Sequence, residues 1–220
     1  MTDLPPFVGE ALGGEPRDPK LFVRALTHGS HGRDTYERLE FLGDRVLGLV
    51  IANWLYQRFP TEPEGKMSRR YNALVARETC ADVGRALDLP RFVRLGKQAR
   101  EDHAGMSENV IGDVVEAMIG AIFLEGGLER ADAFVKANWG PFLEGQRKAP
   151  EHPKSALQEI AAEKQLGVPS YELLARFGPH HAPRFRVKVS VGGYGEAEAE
   201  GASKQDAETA AAAALLEKFQ

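Results

Sequence analysis

The chain has a single cysteine, Cys80, in 220 residues, which excludes an intrachain disulfide. Cys80 sits inside a helical pattern, where a small core residue is the simplest role for it. Long apolar runs are missing too. The longest, Val46 to Ala52, falls far short of the roughly 20 residues that a membrane span needs. No charged segment followed by an apolar stretch opens the chain, so a soluble, cytoplasmic protein with no membrane partner is expected. An excess of basic charge is also absent, with 28 Lys and Arg against 32 Asp and Glu and a net charge of −4. That argues against a generally basic nucleic-acid binder and confines any contact with a polyanion to a local surface. Length and apolar content allow one large domain or two ordinary ones, so the pattern has to decide.

What is present is organised around Tyr36 to Ile51. Leu39, Leu42, Val46, Leu49 and Val50 recur at helical spacing and predict a long helix with a broad apolar face. Three acids interrupt it: Glu37, Glu40 and Asp44 share one strip of that helix, at i, i+3 and i+7. Carboxylates crowded on an apolar helix are costly unless cations hold them. Asp34 is a plausible N-cap with Glu37 three residues on, the spacing of a capping box, and this role for Glu37 is compatible with one at a metal.

Before this stretch, Lys20 to His28 reads as a short packing helix with Leu21, Phe22 and Leu26 inward. After it, Phe59-Pro60 ends the long helix, and a second amphipathic helix carries Leu74, Val75 and Val83. Arg69 and Arg70 begin that helix, by default on a solvated face, although arginines near a carboxylate cluster could also meet a phosphate backbone. Gly96 to Gly105 reads as a polar loop.

Ser107 is expected to cap a further long helix, Glu108 to Glu125, closing at Gly126-Gly127 and followed by another from Leu128. Asp113 and Glu116 lie on one face of it, among Val110, Ile111, Val114, Val115, Met118, Ile119, Ile122 and Phe123. Gly112 and Gly120, with Gly43 and Gly48, suggest that the two acidic helices pack closely. If the faces meet, Glu40, Asp44, Asp113 and Glu116 form a four-carboxylate cluster. All-oxygen ligands, with no His or Cys at ligand spacing, suit a hard cation such as Mg²⁺, or Mn²⁺ in its place. The matching chemistry is phosphoryl transfer or hydrolysis.

Glu144 to Pro153 looks like an interdomain linker, after which the pattern changes. Ser155 to Gln158 reads as a capping box opening a helix that ends near Gly167, and strands follow from Ser170, over Arg184 to Val191 and over Tyr194 to Gly201. Ser203 is expected to cap an alanine-rich helix with Ala207, Ala210, Ala211, Ala214 and Leu215 on one stripe. Gly192-Gly193 invites a two-residue hairpin, but that would set Val189 opposite Glu196 and mix the two faces. A three-residue loop of Gly192, Gly193 and Tyr194 pairs Val189 with Ala197, Val187 with Ala199, Lys188 with Glu198 and Arg186 with Glu200. The reading is an all-α domain over residues 1–147, a linker over 148–153 and a small α-β-β-β-α domain over 154–220.

Glu37-Arg-Leu-Glu-Phe-Leu-Gly-Asp44 and Asp113-Val-Val-Glu-Ala-Met-Ile-Gly-Ala121 closely resemble the signature and the second acidic motif of bacterial ribonuclease III. Leu157-Gln-Glu159, Pro169-x-Tyr171, Gly178-Pro-His-His181, Phe185, Ser203-Lys204 and Ala207-Glu208 resemble a double-stranded RNA-binding domain. The resemblance implies an all-α endonuclease domain followed by a small α+β RNA-binding domain, and a Mg²⁺-dependent enzyme that cuts double-stranded RNA to leave 5′-phosphate and 3′-hydroxyl ends. It implies catalytic acids at Glu40, Asp44, Asp113 and Glu116, all four metal ligands, with Glu37 contributing nearby. It also implies RNA contacts at Gln158, His181 and Lys204, and a homodimer through the catalytic domain.

The C-terminal region departs from the pattern in charge. Where the family commonly has consecutive basic residues, Ser203-Lys204 is followed by Gln205 and Asp206, and from Glu151 onward eight Lys or Arg stand against ten acids. The hairpin register turns Glu196, Glu198 and Glu200 away from the RNA-facing positions. Two rival readings are a catalytically silent RNA-binding scaffold, which would not need the acids, and a phosphoesterase on small substrates, which would not need the second domain.

Overall fold

The computed structural model describes residues 4–146, 153–179 and 182–218. The chain divides into two compact units, Met1–Pro150 and Glu151–Gln220. The first is helical: α1 (Phe7–Leu12), α2 (Pro19–Ala25), α3 (Glu37–Arg58), α4 (Glu64–Leu74), α5 (Arg77–Ala86), α6 (Lys97–Glu101) and α7 (Glu108–Gly145). α3 and α7 cross at the centre of the unit, where glycines let the backbones touch. A Cβ on Gly43 would stand 1.7 Å from the Glu116 carbonyl oxygen, and one on Gly120 would stand 2.4 Å from that of Leu39. Gly48 and Gly112 serve other contacts, facing Tyr71 on α4 and Arg77 on α5 respectively.

Around this crossing Leu47, Ile51, Leu55, Ile111, Met118, Ile119 and Trp139 are fully buried. The Trp139 indole N–H donates to the Leu74 carbonyl at 2.8 Å, so the largest core side chain also keeps its polar atom satisfied. Gly127, with φ 75° and ψ −176°, breaks α7 where the sequence closes one helix and opens the next.

Several local expectations change. Leu49 is exposed rather than in the core, as are Phe41 and Tyr56 on the same helix. Asp34 does not cap α3. It pairs with Arg24 at 2.6 Å, and the N-cap is Tyr36, a buried residue without a side-chain cap bond. Ser107 holds its N-cap position, also without a side-chain bond. The helix expected through Leu74, Val75 and Val83 is two, α4 and α5, because Ala76 turns extended and the Thr79 hydroxyl donates to the Ala73 carbonyl across the corner. Arg70 lies on no solvated face. It is 2% exposed, donates to both Glu62 oxygens and to the Gln146 carbonyl, and stacks over Phe59. The stretch Gly96 to Gly105 contains α6, which Arg100 ties to the Leu95 carbonyl at 3.2 Å.

The second unit has α8 (Pro153–Glu163), β1 (Ser170–Phe177), β2 (Arg184–Val191), β3 (Gly195–Gly201) and α9 (Lys204–Glu217). α8 already includes Pro153 and Lys154, so Ser155 falls inside the helix and is not its cap. The antiparallel sheet runs β1-β2-β3, with an irregularity between Leu173 and Ala175. Its hairpin pairs Val189 with Ala197, Val187 with Ala199, Lys188 with Glu198 and Arg186 with Glu200, the register that keeps both faces uniform. Gly192, Gly193 and Tyr194 form the loop, and Gly193 takes φ 74°.

One sheet face packs Val189, Val191 and Ala197 against Leu157, Ala161, Ala211, Ala212 and Leu215. Of the alanine stripe, Ala207, Ala211 and Leu215 are buried while Ala210 and Ala214 are half-buried, and Ala212 takes part of their place. The other face carries ion pairs: Arg186 with Glu200 at 2.6 Å, and Lys188 with Glu172 and Glu196 at 3.6 Å each. Ser203 caps α9 in a reciprocal box with Asp206, which gives the acid in the first turn a structural role.

Candidate active site

Glu40 projects from the first turn of α3, while Asp113 and Glu116 project from α7, where they are the half-buried polar positions in an otherwise buried stretch from Val110 to Ala121. The glycine contact between α3 and α7 lies beside them, so the helices meet closely where the acids stand. One carboxylate oxygen from each of Glu40, Asp113 and Glu116 lies within 4.8 Å of the other two. They open on a cavity of about 420 Å³, lined also by Phe41, Asp44, Arg45, Val75, Arg77 and Gly112. Asp44 shares the cavity, but its carboxylate is in contact with Arg45 and stands apart from the convergent trio. Glu37 is exposed and lines a different hollow, of about 730 Å³, with Arg24, Arg33, Asp34 and Arg38.

Three residues that the acid pattern does not mark complete the surroundings. The Tyr36 hydroxyl donates to Asp113 Oδ2 at 3.2 Å, and Arg77 Nη1 donates to Asp113 Oδ1 at 3.4 Å. Cys80 is buried as expected, but its Sγ also lies 4.0 Å from Glu116 Oε1. Tyr36 directly precedes the first acid motif, whereas Arg77 and Cys80 are far from both motifs in sequence, and the break between α4 and α5 sets them on a helix alongside α7.

Crowding shows in the acid–base behaviour. Burial, then repulsion from Asp44, Asp113 and Glu40, lifts the Glu116 carboxyl from the ordinary 4.5 to about 7. Burial, then Asp113, raises that of Glu40. The Tyr36 phenol is pushed well up by burial and by Asp113, and burial with Glu116 nearby pushes the Cys80 thiol up to about 12. Tyr36 and Cys80 therefore stay protonated, and each donates to a carboxylate of the cluster.

The donor set fits a hard divalent cation. In octahedral Mg²⁺, with Mg–O about 2.0–2.1 Å, adjacent ligand oxygens are about 3 Å apart and opposite ones about 4 Å, both compatible with oxygens that lie within 4.8 Å of one another. Carboxylates that repel one another strongly enough to retain a proton near neutrality are relieved by such an ion.

This makes a pH dependence without metal. The folded state holds the Glu116 proton more tightly than the unfolded chain, so that stabilisation is fully present below about 4.5 and is lost as pH rises through about 7. Glu116→Gln lacks the titration. In EDTA, thermal unfolding is expected to show the variant gaining on the wild type as pH rises from about 5 to about 8, by on the order of 5 °C in Tm. A Tm difference that stays flat across that range would remove Glu116 from the repelling cluster.

On the second unit, Gln158 is exposed on α8, and Lys204 is exposed at the start of α9, 3.8 Å from Glu208. Lys154 reaches the same Glu208 at 2.6 Å, so the N-terminal turns of the two helices lie side by side. His181 lies outside the described residues, as do 148–152 of the expected linker.

A helical unit that sinks carboxylates from two crossing helices into one cleft, joined to an α-β-β-β-α unit, defines a class: a nuclease domain carrying a double-stranded RNA-binding fold. The chain belongs to the ribonuclease III family. Its residues 18–141 match the Ribonuclease-III-like family and residues 153–219 match the double-stranded RNA binding motif. It is 59% identical over 211 residues to Ribonuclease 3 of Zymomonas mobilis, covering 96% of this chain and 86% of that one. Ribonuclease 3 of Rhodopseudomonas palustris is 44% identical, with 95% and 79% covered. Among solved structures, the nuclease domain of ribonuclease III from Campylobacter jejuni aligns with TM-score 0.57 and 33% identity over 61% of this chain and 98% of that one, in a study of flexibility in its dimer-forming region. Dicer from Pichia stipitis aligns with TM-score 0.50 and 25% identity over 99% and 98%.

Proposed function

We propose that this chain is a Mg²⁺-dependent endoribonuclease that hydrolyses phosphodiester bonds of double-stranded RNA, leaving 5′-phosphate and 3′-hydroxyl ends, and acts in RNA processing and maturation. The observation that carries the reading is the convergence of Glu40, Asp113 and Glu116 on one cleft. These three would hold the ion, with Asp44 on the cavity wall as the fourth ligand and Mn²⁺ able to substitute. A bound divalent ion supplies a water of lowered pKa and stabilises charge on the attacked phosphate and the leaving oxygen. The protein's share is to keep Glu116 and Glu40 together against their repulsion, to hold Asp113 between Tyr36 and Arg77, and to present the cleft to the duplex. Glu37, one turn before Glu40 on α3, contributes from the neighbouring hollow.

RNA reaches the second unit through Gln158, His181 and Lys204, since double-stranded RNA is read by shape through 2′-hydroxyls and phosphates rather than by a basic face. The charged sheet face, already occupied by its own ion pairs, is left to solvent. The catalytic unit works as a homodimer. Phe41, Leu49 and Tyr56 are 57–71% exposed along α3, an apolar edge that a second copy would cover. Among the described residues no helix is long and apolar enough to cross a membrane, which fits action in the cytoplasm.

The deciding experiment incubates an end-labelled RNA duplex and its separate strands with the protein, in Mg²⁺ and in EDTA. Cleavage of the duplex alone, in Mg²⁺ alone, is expected. Binding without cleavage would leave the silent scaffold, and cleavage of small phosphoesters but not RNA would leave the small-substrate reading.

A further inference from the structure

The acid cleft also holds a cationic side chain, Arg77, that lies outside both acid motifs. Arg77 is the first residue of α5, where a positive charge opposes the helix dipole, so its own helix does not favour it there. Its stem lies over Gly112, the Cγ 3.5 Å from where a Cβ would stand, and its Nη1 reaches Asp113 Oδ1 at 3.4 Å. The side chain is still 53% exposed and lines the cavity with Glu40, Asp113 and Glu116. Arg45, the other arginine on that wall, is placed differently. It contacts Asp44 and stacks over the Phe41 ring at 4.6 Å, and so is held by two neighbours on its own helix.

We propose that Arg77 is a positioning residue exchanged between Asp113 and the RNA backbone: it holds the Asp113 carboxylate in the free protein and gives it up to pair with a phosphate of the bound duplex. The proposal rests on the metal-dependent reading above. Its physical basis is that two cations cannot be equally served by one carboxylate. An ion drawn to Glu40, Asp113 and Glu116 contests Asp113 with Arg77, and repels it at short range. A phosphate is the natural second partner, since the guanidinium fork matches its oxygens bidentately.

This gives opposite signs for two measurements on one variant. Arg77→Gln removes the competing charge, so Mn²⁺ titrated into the full-length chain and followed by its electron paramagnetic resonance signal is expected to bind roughly fivefold more tightly. The same variant loses a phosphate contact. Its affinity for an RNA duplex in EDTA falls several-fold, the slope of log K against log salt shrinks by about one contact, and KM rises more than kcat falls. Arg77→Lys keeps the charge without the fork, so it restores Mn²⁺ affinity to the wild-type value and only part of the RNA affinity. Arg85→Gln is the charge control, because Arg85 lies on the same helix but pairs with Asp82 at 2.7 Å and Glu108 at 3.5 Å. It should move neither measurement.

Weaker Mn²⁺ binding in Arg77→Gln would mean a merely structural residue, and unchanged binding an uncontested Asp113; either overturns the exchange while the metal reading stands. So would unchanged RNA affinity, or an Arg85→Gln shift as large as that of Arg77→Gln. A wild-type chain that binds no Mn²⁺ fails the metal reading itself, and the exchange with it.

Discussion

Glu116→Gln is expected to reduce cleavage of double-stranded RNA by on the order of 10³-fold or more while the protein folds and binds duplex normally. The change keeps the side chain's size and replaces an anionic ligand by a neutral amide. It therefore removes charge from the trio without opening a cavity in α7. Duplex affinity should hold, because Gln158, His181 and Lys204 belong to the second unit and Arg77 is paired with Asp113 rather than Glu116, and metal-free stability near neutral pH should rise, because a strained ionisation is gone. The combination of lost turnover with a higher Tm is diagnostic. A residue that merely supports the fold loses both together, whereas a ligand held against repulsion trades one for the other. Single-turnover cleavage and a thermal scan on the same preparation check it. Near-normal Mg²⁺-dependent cleavage by this variant would take Glu116 out of the site.

How far the site could be read from the chain depends on what kind of information each part used. The acids were legible because 3.6-residue periodicity fixes which positions share a helix face, and Glu40, Asp113 and Glu116 break an apolar pattern that has no other reason to be broken. The hairpin register was legible for the same kind of reason. A slip of one residue would have put Val189 against an acid, so alternation overruled the turn signal of the paired glycines.

What stayed hidden is contact made across the chain. Nothing local distinguishes Arg70, buried on Glu62 and Phe59, from its neighbour Arg69, and nothing marks the chain turn at Ala76 that carries Arg77 and Cys80 to the acids. Asp34 and Ser155 show the limit of cap motifs. Each has the right residue and spacing, but Arg24 takes the first, and the second lies inside α8, which already includes Pro153 and Lys154. The exposed Leu49 fits the periodicity of a buried face, and periodicity cannot say whether the cover comes from the same chain or another copy.

Glycines divide in the same way, and they carry the second large effect. Gly43 and Gly112 look alike in sequence, each beside an acid in a helix interior, yet Gly43→Ala is expected to be severely destabilising and Gly112→Ala close to neutral. At Gly43 the added Cβ would meet three backbone atoms, the Glu116 carbonyl oxygen at 1.7 Å, its carbon at 2.5 Å and the Gly120 nitrogen at 2.9 Å. None is the movable end of a side chain, so α3 and α7 have to separate, at a cost of about 3 kcal/mol or more in a packed core. At Gly112 the nearest atoms lie 3.5 Å away, in ordinary contact, and the gain in helix propensity of up to about 1 kcal/mol offsets any crowding. Because Glu40 and Asp44 flank Gly43 on α3 while Glu116 supplies the very carbonyl that is struck, separation of the helices also pulls the carboxylates apart. Gly43→Ala should then lose Mn²⁺ affinity even at temperatures where it remains folded, whereas Gly112→Ala keeps both its Tm and its ion. Circular dichroism melts and a Mn²⁺ titration at low temperature test the pair, and a Gly43→Ala protein with wild-type Tm and wild-type ion binding would show that the α3–α7 contact does not set the spacing of the acids.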